Sequence, residues 1–335
     1  MADLESLCRD AALAAGASAD AVISLARASV EAEAEGNRAV GLDHLPFYLD
    51  ALGEGRIDGR AEPIIQQPLP AIIHVDAQGG TAHLGYDRAF DRLVDAARAF
   101  GIGIFAQKNA YTCGSLGSFA QRLAAVGLVA LAATNGPALM TVPGGRRPVY
   151  CTNPLAFAAP MAGGETLLID QASSQTAYVK IRDAAAGGET LPQGWAIDAD
   201  GRPTTDPGAA LKGALLTYGG ARGANIALMV EVLSAGLTGA NWSLDAPSIS
   251  EGELSPGTGL FVLAIEPRAF GSGFEDRLSA QAKRLEAEGV HFPGRSKAAA
   301  RRRAASEGVD VSVDVVERIR SYLRPRPVSP VSSGR

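Results

Sequence analysis

Three adjacent patterns between residues 71 and 106 restrict this chain to a fold that mixes sheet and helix. The run A-I-I-H-V-D at 71–76 is short, apolar and β-branched, as a buried strand is. Tyr86, Phe90, Leu93, Ala97 and Phe100 then recur at 4-3-4-3 spacing, which gives a helix over 86–100 one apolar side. Gly101 supplies its stop, and Ile102 to Ala106 is a second apolar run. Further strand-like runs stand at 128–133, 155–159, 166–170 and 260–265. A helix opened by N-A-Y-T-C-G-S-L-G carries Leu116, Phe119, Leu123 and Val126 on one face. Strands and helices mix without strict alternation and no fixed-period repeat is visible, so a class that combines α and β is expected.

Both ends read as helical. Leu4, Leu7, Ala11 and Ala14 keep helical spacing, as do Val22, Leu25, Ala26 and Val30, and a third helix follows Pro46 with Tyr48, Leu49 and Leu52 inward. Pro63, Pro68 and Pro70 read as a linker. Residues 187–207 are nearly all turn formers, which suggests a long ordered loop. Helices are expected over 274–289, 296–307 and 313–323, and the Pro- and Ser-rich tail from 325 to 335 is expected to be disordered.

The charge balance excludes one class of partner. Thirty-one basic against 36 acidic residues leave a net charge of −5, with no footprint for nucleic acid. Arg301, Arg302 and Arg303 read as a solvated helix face. No apolar run is long enough to cross a membrane, and Asp3, Glu5, Arg9 and Asp10 interrupt any signal-peptide core. Cys8, Cys113 and Cys151 lack metal-ligand spacing, and reduced thiols fit a cytoplasmic protein. No His, Asp and Glu set has the spacing of a metal centre, so none is expected.

Candidate site residues cluster where apolar runs end in small polar groups. Cys151 to Lys180 joins the turn Thr152-Asn153-Pro154 to two apolar runs, the second ending in Asp170 and followed by Ser173, Ser174 and Lys180. G-T-G-L-F-V at 257–262 precedes a strand rather than opening a helix, so no Rossmann fingerprint is present. Two Gly-rich loops open helices and could meet a phosphate: 112–117, and 219–223 with Arg222. His74 reads as structural, His83 as an exposed residue of a turn beside Gly85, and His291 as part of a turn able to approach a cofactor. His44, at a helix start, is the candidate catalytic acid. Asp170 and Asp198 are the acids placed nearest a site, or else cap turns. Arg146 and Arg147 read as solvated turn residues or as binders of a substrate acid.

Several motifs in one order carry a resemblance. T-N-P-L-A-F-A-A-P at 152–160, D-Q-A-S-S at 170–174 with Lys180, L-P-Q-G-W-A-I-D-A-D-G-R-P-T-T-D-P at 191–207 and A-L-M-V-E-V-L-S-A-G-L-T-G-A at 227–240 resemble the malate/L-lactate dehydrogenase family. That family includes sulfolactate dehydrogenases and Δ1-piperideine-2-carboxylate reductases. The resemblance implies a sulfolactate dehydrogenase-like fold, not a Rossmann fold. Residues 1–70 and about 296–324 would form a helical domain, and 71–295 a mixed α/β domain binding cofactor and substrate. It implies NADP or NAD as cofactor, a small-molecule substrate and a homodimer. Cofactor contacts would fall on Thr112, Cys113, Gly114, Ser115 and Leu116, on Arg222, and on Pro293 and Gly294. Substrate contacts would fall on Thr152, Asp170, Gln171 and Ala172, with His44, Asp170 and Lys180 as catalytic candidates.

The departures are as informative. The family's Ser-His-Gly aligns with Ala39, Val40 and Gly41, its arginine four residues after that histidine with His44, and its second histidine with Thr112. Reduction of a ketone needs a proton donor at the developing alkoxide, and Val40 offers none. His44, Tyr178 or Lys180 would have to serve, or the substrate is an iminium that already carries its proton. The resulting expectation is an NAD(P)H-dependent oxidoreductase of small 2-oxo or cyclic 2-imino carboxylates. The alternative is an inactive relative that binds a nucleotide or metabolite.

Overall fold

A computed structural model describes residues 1–324, so the tail at 325–335 lies outside the described residues. The elements in chain order begin with α1 (Ala2–Ala14), α2 (Ala19–Ala34) and α3 (Leu45–Gly53). Next come β1 (Ile64–Leu69), β2 (Ile72–Asp76), α4 (Ala82–Phe100), β3 (Ile102–Ala110), α5 (Leu116–Ala125), β4 (Val129–Thr134) and β5 (Met140–Thr141). The middle holds β6 (Leu155–Pro160), β7 (Thr166–Gln171), α6 (Tyr178–Gly187), β8 (Ala196–Ile197) and β9 (Pro203–Thr204). Then follow α7 (Pro207–Leu211), β10 (Ala214–Leu216), α8 (Ala221–Glu231), β11 (Thr258–Ile265), α9 (Phe274–Ala287), α10 (Arg295–Glu307) and α11 (Val313–Ser321).

Seven strands form the main sheet in the order β1-β2-β3-β11-β4-β6-β7. Only the β2–β3 pair is parallel, because α4 carries the chain across between them. The mixed sheet implied by the family resemblance is therefore present. A second sheet, β5-β10-β8-β9, draws two of its strands from the segment read as one long loop, where Ala196 and Ile197 pair with Thr204 and Pro203. The segment read as a linker is β1. Pro68 is tolerated there because β1 is an edge strand whose free side needs no amide donor.

The main core lies between the sheet and the helices α4 and α5, around Ile73, Tyr86, Leu93, Phe105, Phe119 and Val262. Burial of such side chains contributes roughly 1.5–3 kcal/mol each before entropy is counted. A separate core joins α1, α2 and α3 to α11 through Cys8, Leu25, Leu45, Leu49 and Ile319. Helix α10 bridges the two layers. Arg301, Arg302 and Arg303 are all exposed, as expected, but Arg301 also pairs with Glu35 at the end of α2 and donates to Gln121 Oε1 of α5 at 3.0 Å. No helix among the described residues is long and apolar enough to cross a membrane.

Candidate functional site

The turn Thr152-Asn153-Pro154 is locked from beneath by α8. Asn153 adopts φ +37°, a region costly for a residue with a side chain, so its surroundings must hold it. Its Nδ2 donates to Ala227 O at 2.8 Å and to Glu231 Oε2 at 2.7 Å. The Glu231 carboxylate, only 4% exposed, also accepts from Ser243 N at 2.6 Å and Ser243 Oγ at 2.9 Å. Ser243 Oγ in turn accepts from Cys151 N at 3.1 Å. On the other side, Ser173 N donates to Thr152 O and Ser173 Oγ to Asn153 O, both at 2.8 Å. Sequence reasoning missed Glu231 and Ser243. The signal was a lone acid within the apolar stretch A-L-M-V-E-V-L, which burial makes costly unless every oxygen is paired.

Asp170, at the end of β7, lies against the start of α5. Its Oδ2 accepts from Gly117 N at 3.0 Å and faces Lys297 Nζ of α10 at 3.5 Å. Only glycine fits at 117, since a Cβ there would stand 2.7 Å from Asp170 Oδ2. The N–H of Gly117 is therefore already engaged. The preceding loop still presents a buried hydroxyl, Ser115 Oγ, without a partner in the protein. Gly114 makes the turn with φ +61°. Gln171 and Lys180 are exposed, Ala172 and Thr152 half-buried, and Lys180 lies in the first turn of α6.

A second group surrounds Gly114. Tyr48 Oη accepts from Thr112 Oγ1 at 2.9 Å and donates to Thr112 O at 3.3 Å. The position a Cβ would take at Gly114 is 3.4 Å from Tyr48 Oη, 3.8 Å from His83 Nε2 and 3.9 Å from Val40 O. Here the expectation for His83 fails. It is 5% exposed, lies in the first turn of α4, and stacks on Phe119 with centroids 5.7 Å apart. Gly85 read as a turn signal; it is a contact residue, tight against the Gln107 side chain. Burial pushes the His83 imidazole down to about 4. His44, edge-on to Tyr48 with centroids at 5.1 Å, is likewise pushed down to about 4 by burial and by the positive charge of Arg182. Both rings are thus neutral at pH 7. Burial also raises the Cys113 thiol to about 12 and raises that of Cys151, so neither is a thiolate.

The remaining candidates lie elsewhere. His74 sits in β2 and its Nε2 donates to Thr238 O at 3.0 Å, a structural contact. Asp198 caps the β8–β9 turn, accepting from Asp200 N and Arg202 N at 2.9 Å. Arg146, Arg147, Arg222 and His291 are exposed. No group of three His, Cys, Asp or Glu among the described residues could hold a metal ion.

Gly294 begins α10 with φ +93°, and a Cβ there would come within 2.9 Å of Leu168 N. Beside it opens a cleft of about 370 Å³, lined by Gly163, Gly164, Leu168, Arg295 and Arg302 among others. Arg295 is held by Glu286 at 2.8 Å. A loop with an unpartnered buried hydroxyl and a glycine-walled basic cleft, both flanking α5, fit a large polar anionic cofactor.

Comparison with known proteins agrees with this architecture. A profile of the malate/L-lactate dehydrogenase family matches residues 1–320. The chain is 40% identical to a (2R)-3-sulfolactate dehydrogenase (NADP(+)) from Chromohalobacter salexigens over 90% of each chain. It is 35% identical to a Δ1-pyrroline-2-carboxylate/Δ1-piperideine-2-carboxylate reductase from Pseudomonas syringae pv. tomato, over 91% of this chain and 90% of that one. The crystal structure of a Δ1-piperideine-2-carboxylate reductase from the same species superposes with a TM-score of 0.91 at 34% identity, covering 95% of this chain and 97% of that one. With motif order, profile and fold in agreement, the chain belongs to the malate/L-lactate dehydrogenase family and is an NAD(P)-dependent oxidoreductase.

Proposed function

We propose that this protein is an NADPH-dependent reductase of cyclic 2-imino carboxylates of the Δ1-pyrroline-2-carboxylate type. The observation that carries this reading is the set of residues around Gly114, where Tyr48, His83 and Val40 meet. Val40 and Thr112 occupy the places of the family's two histidines, and the nearby rings of His44 and His83 are neutral at pH 7. A 2-oxo acid would draw its proton from the protein, and a neutral imidazole is a poor donor to a developing alkoxide. A protonated cyclic imine brings its own. Relatives named as pyrroline- and piperideine-2-carboxylate reductases, at 34–36% identity, support the same choice.

When bound, the dinucleotide supplies a hydride. The chain's own residues would do the rest. Thr112 to Leu116, Pro293 and Gly294 would hold the dinucleotide, and Arg302 with Arg222 would favour a 2′-phosphate. Thr152, Asp170, Gln171 and Ala172 would orient the substrate. The buried Glu231 network keeps the 152–154 turn rigid, which limits the motion of the reacting atoms. Lys180, at the first turn of α6, would face outward as a charged rim. The helical layer and the α/β layer would act as two domains flanking the site, in a cytoplasmic homodimer.

Turnover of Δ1-pyrroline-2-carboxylate and Δ1-piperideine-2-carboxylate with NADPH, compared with pyruvate, oxaloacetate and 3-sulfopyruvate, tests the reading. The expected result is imine reduction with kcat/KM at least about 100-fold above the 2-oxo acids, as loss of a general acid predicts. Equal or better turnover of the 2-oxo acids overturns it. The same histidine losses support a second reading, a nucleotide binder without catalysis. NADPH binding with no oxidation across both substrate classes would favour that one.

A further inference from the structure

A small carboxylate needs a cation that is not already neutralised by the protein, and most basic side chains around the site fail that test. Lys297 faces Asp170, Arg301 pairs with Glu35, and Arg295 is held by Glu286. Arg122 pairs with Asp87, and Arg56 with Glu54. On helix α6 the situation differs. The guanidinium of Arg182 stands 5.7 Å from the centroid of the Phe47 ring, which also meets the His44 ring at 5.3 Å and the guanidinium of Arg318 at 5.9 Å, the latter committed to Asp50 at 3.8 Å. Its nearest carboxylate is that of its own sequence neighbour Asp183, at 4.0 Å and largely exposed. Such a pair is solvent-screened and holds the arginine weakly. The arginine's charge reaches His44, which burial and that same charge keep neutral. Arg182 thus presents an uncommitted, planar, bidentate anion receptor beside the first turn of α3, where the sequence offers His44 but no arginine.

We propose that Arg182 binds the substrate carboxylate, seating it between α6 and the first turn of α3, and so sets the specificity for acids over neutral analogues. This rests on the reductase reading above. Phe47 packs beside the guanidinium, and the neutral His44 edge can donate one N–H to the same anion. The position also explains how the site does without an arginine on α3: the cation comes from the α6 helix that follows the Asp170 segment.

The test uses the full chain and inert ligands, so that binding is read apart from turnover. Pyrrole-2-carboxylate and pyrrole-2-carboxamide are titrated calorimetrically into the NADPH-loaded wild type, Arg182→Gln and Arg182→Lys. The expected result is a roughly 10- to 100-fold weaker carboxylate affinity in Arg182→Gln. Amide affinity and NADPH affinity should be unchanged, and Arg182→Lys should recover part of the loss. With Δ1-pyrroline-2-carboxylate the same variant should raise KM far more than it lowers kcat. Wild-type carboxylate affinity in Arg182→Gln, or equal loss for acid and amide, overturns the assignment while leaving the reductase reading intact. A wild type that does not bind NADPH overturns both.

Discussion

A histidine ring sealed between aromatic side chains has a clear acid signature. His83 is neutral when folded and titrates near the ordinary range when the chain is unfolded. A depressed folded value means its contribution is complete above about pH 6.5 and is lost as the pH falls towards about 4. The melting temperature should therefore fall steadily from pH 7 to pH 4.5, and His83→Phe should flatten that slope; an unchanged slope would show that other groups dominate. His44 leads to a kinetic expectation. Because it is neutral throughout the working range, His44→Gln should leave kcat for a cyclic imine within about threefold, with no new limb between pH 6 and 8. A hundredfold loss would identify it as the acid. The identity of these residues was legible in the sequence, but their state was not. His83 was misjudged because Gly85 two residues on looked like a turn, whereas it is a glycine that lets α4 sit against Gln107.

The long-period elements were readable because one side chain pattern dominated each of them. Helix α4 declares itself through five apolar residues at helical spacing, and β11 through an unbroken apolar run. Elements that depend on partners distant in sequence were not readable. Strand β1 looked like a proline linker because only its place at the sheet edge makes Pro68 harmless, and α6 was hidden inside a motif read for its lysine. The Glu231 hub is the same case: nothing local reveals that α8 holds a turn 78 residues away in the chain. Replacing Glu231 by Ala should cost about 2–4 kcal/mol in urea unfolding, since three hydrogen bonds from Asn153 and Ser243 lose their acceptor. Glu231→Gln should recover part of that. Gly117→Ala, which forces Asp170 aside, should weaken NADPH binding more than it lowers the melting temperature.

At the scale of the whole molecule, one stretch of surface is unlike the rest. Leu228, Met229 and Val232 on α8 and its continuation, with Leu237, Trp242 and Leu244, are all exposed and apolar. A monomer gains nothing from such a surface, and a second copy of the chain would cover it. Light scattering should give twice the 34.5 kDa chain mass, with Met229→Asp shifting it towards one. Burial of that kind requires folded protomers first, and here α10 matters for another reason. Its side chains reach the end of α2, α5 and β7 together, so the cleft beside Gly294 lacks one wall until residue 301 is in place. The pocket therefore forms only after α10 has left the ribosome and packed onto these elements. Nascent chains stalled before that point should be held together by the strands alone, and addition of dinucleotide should not protect them from protease.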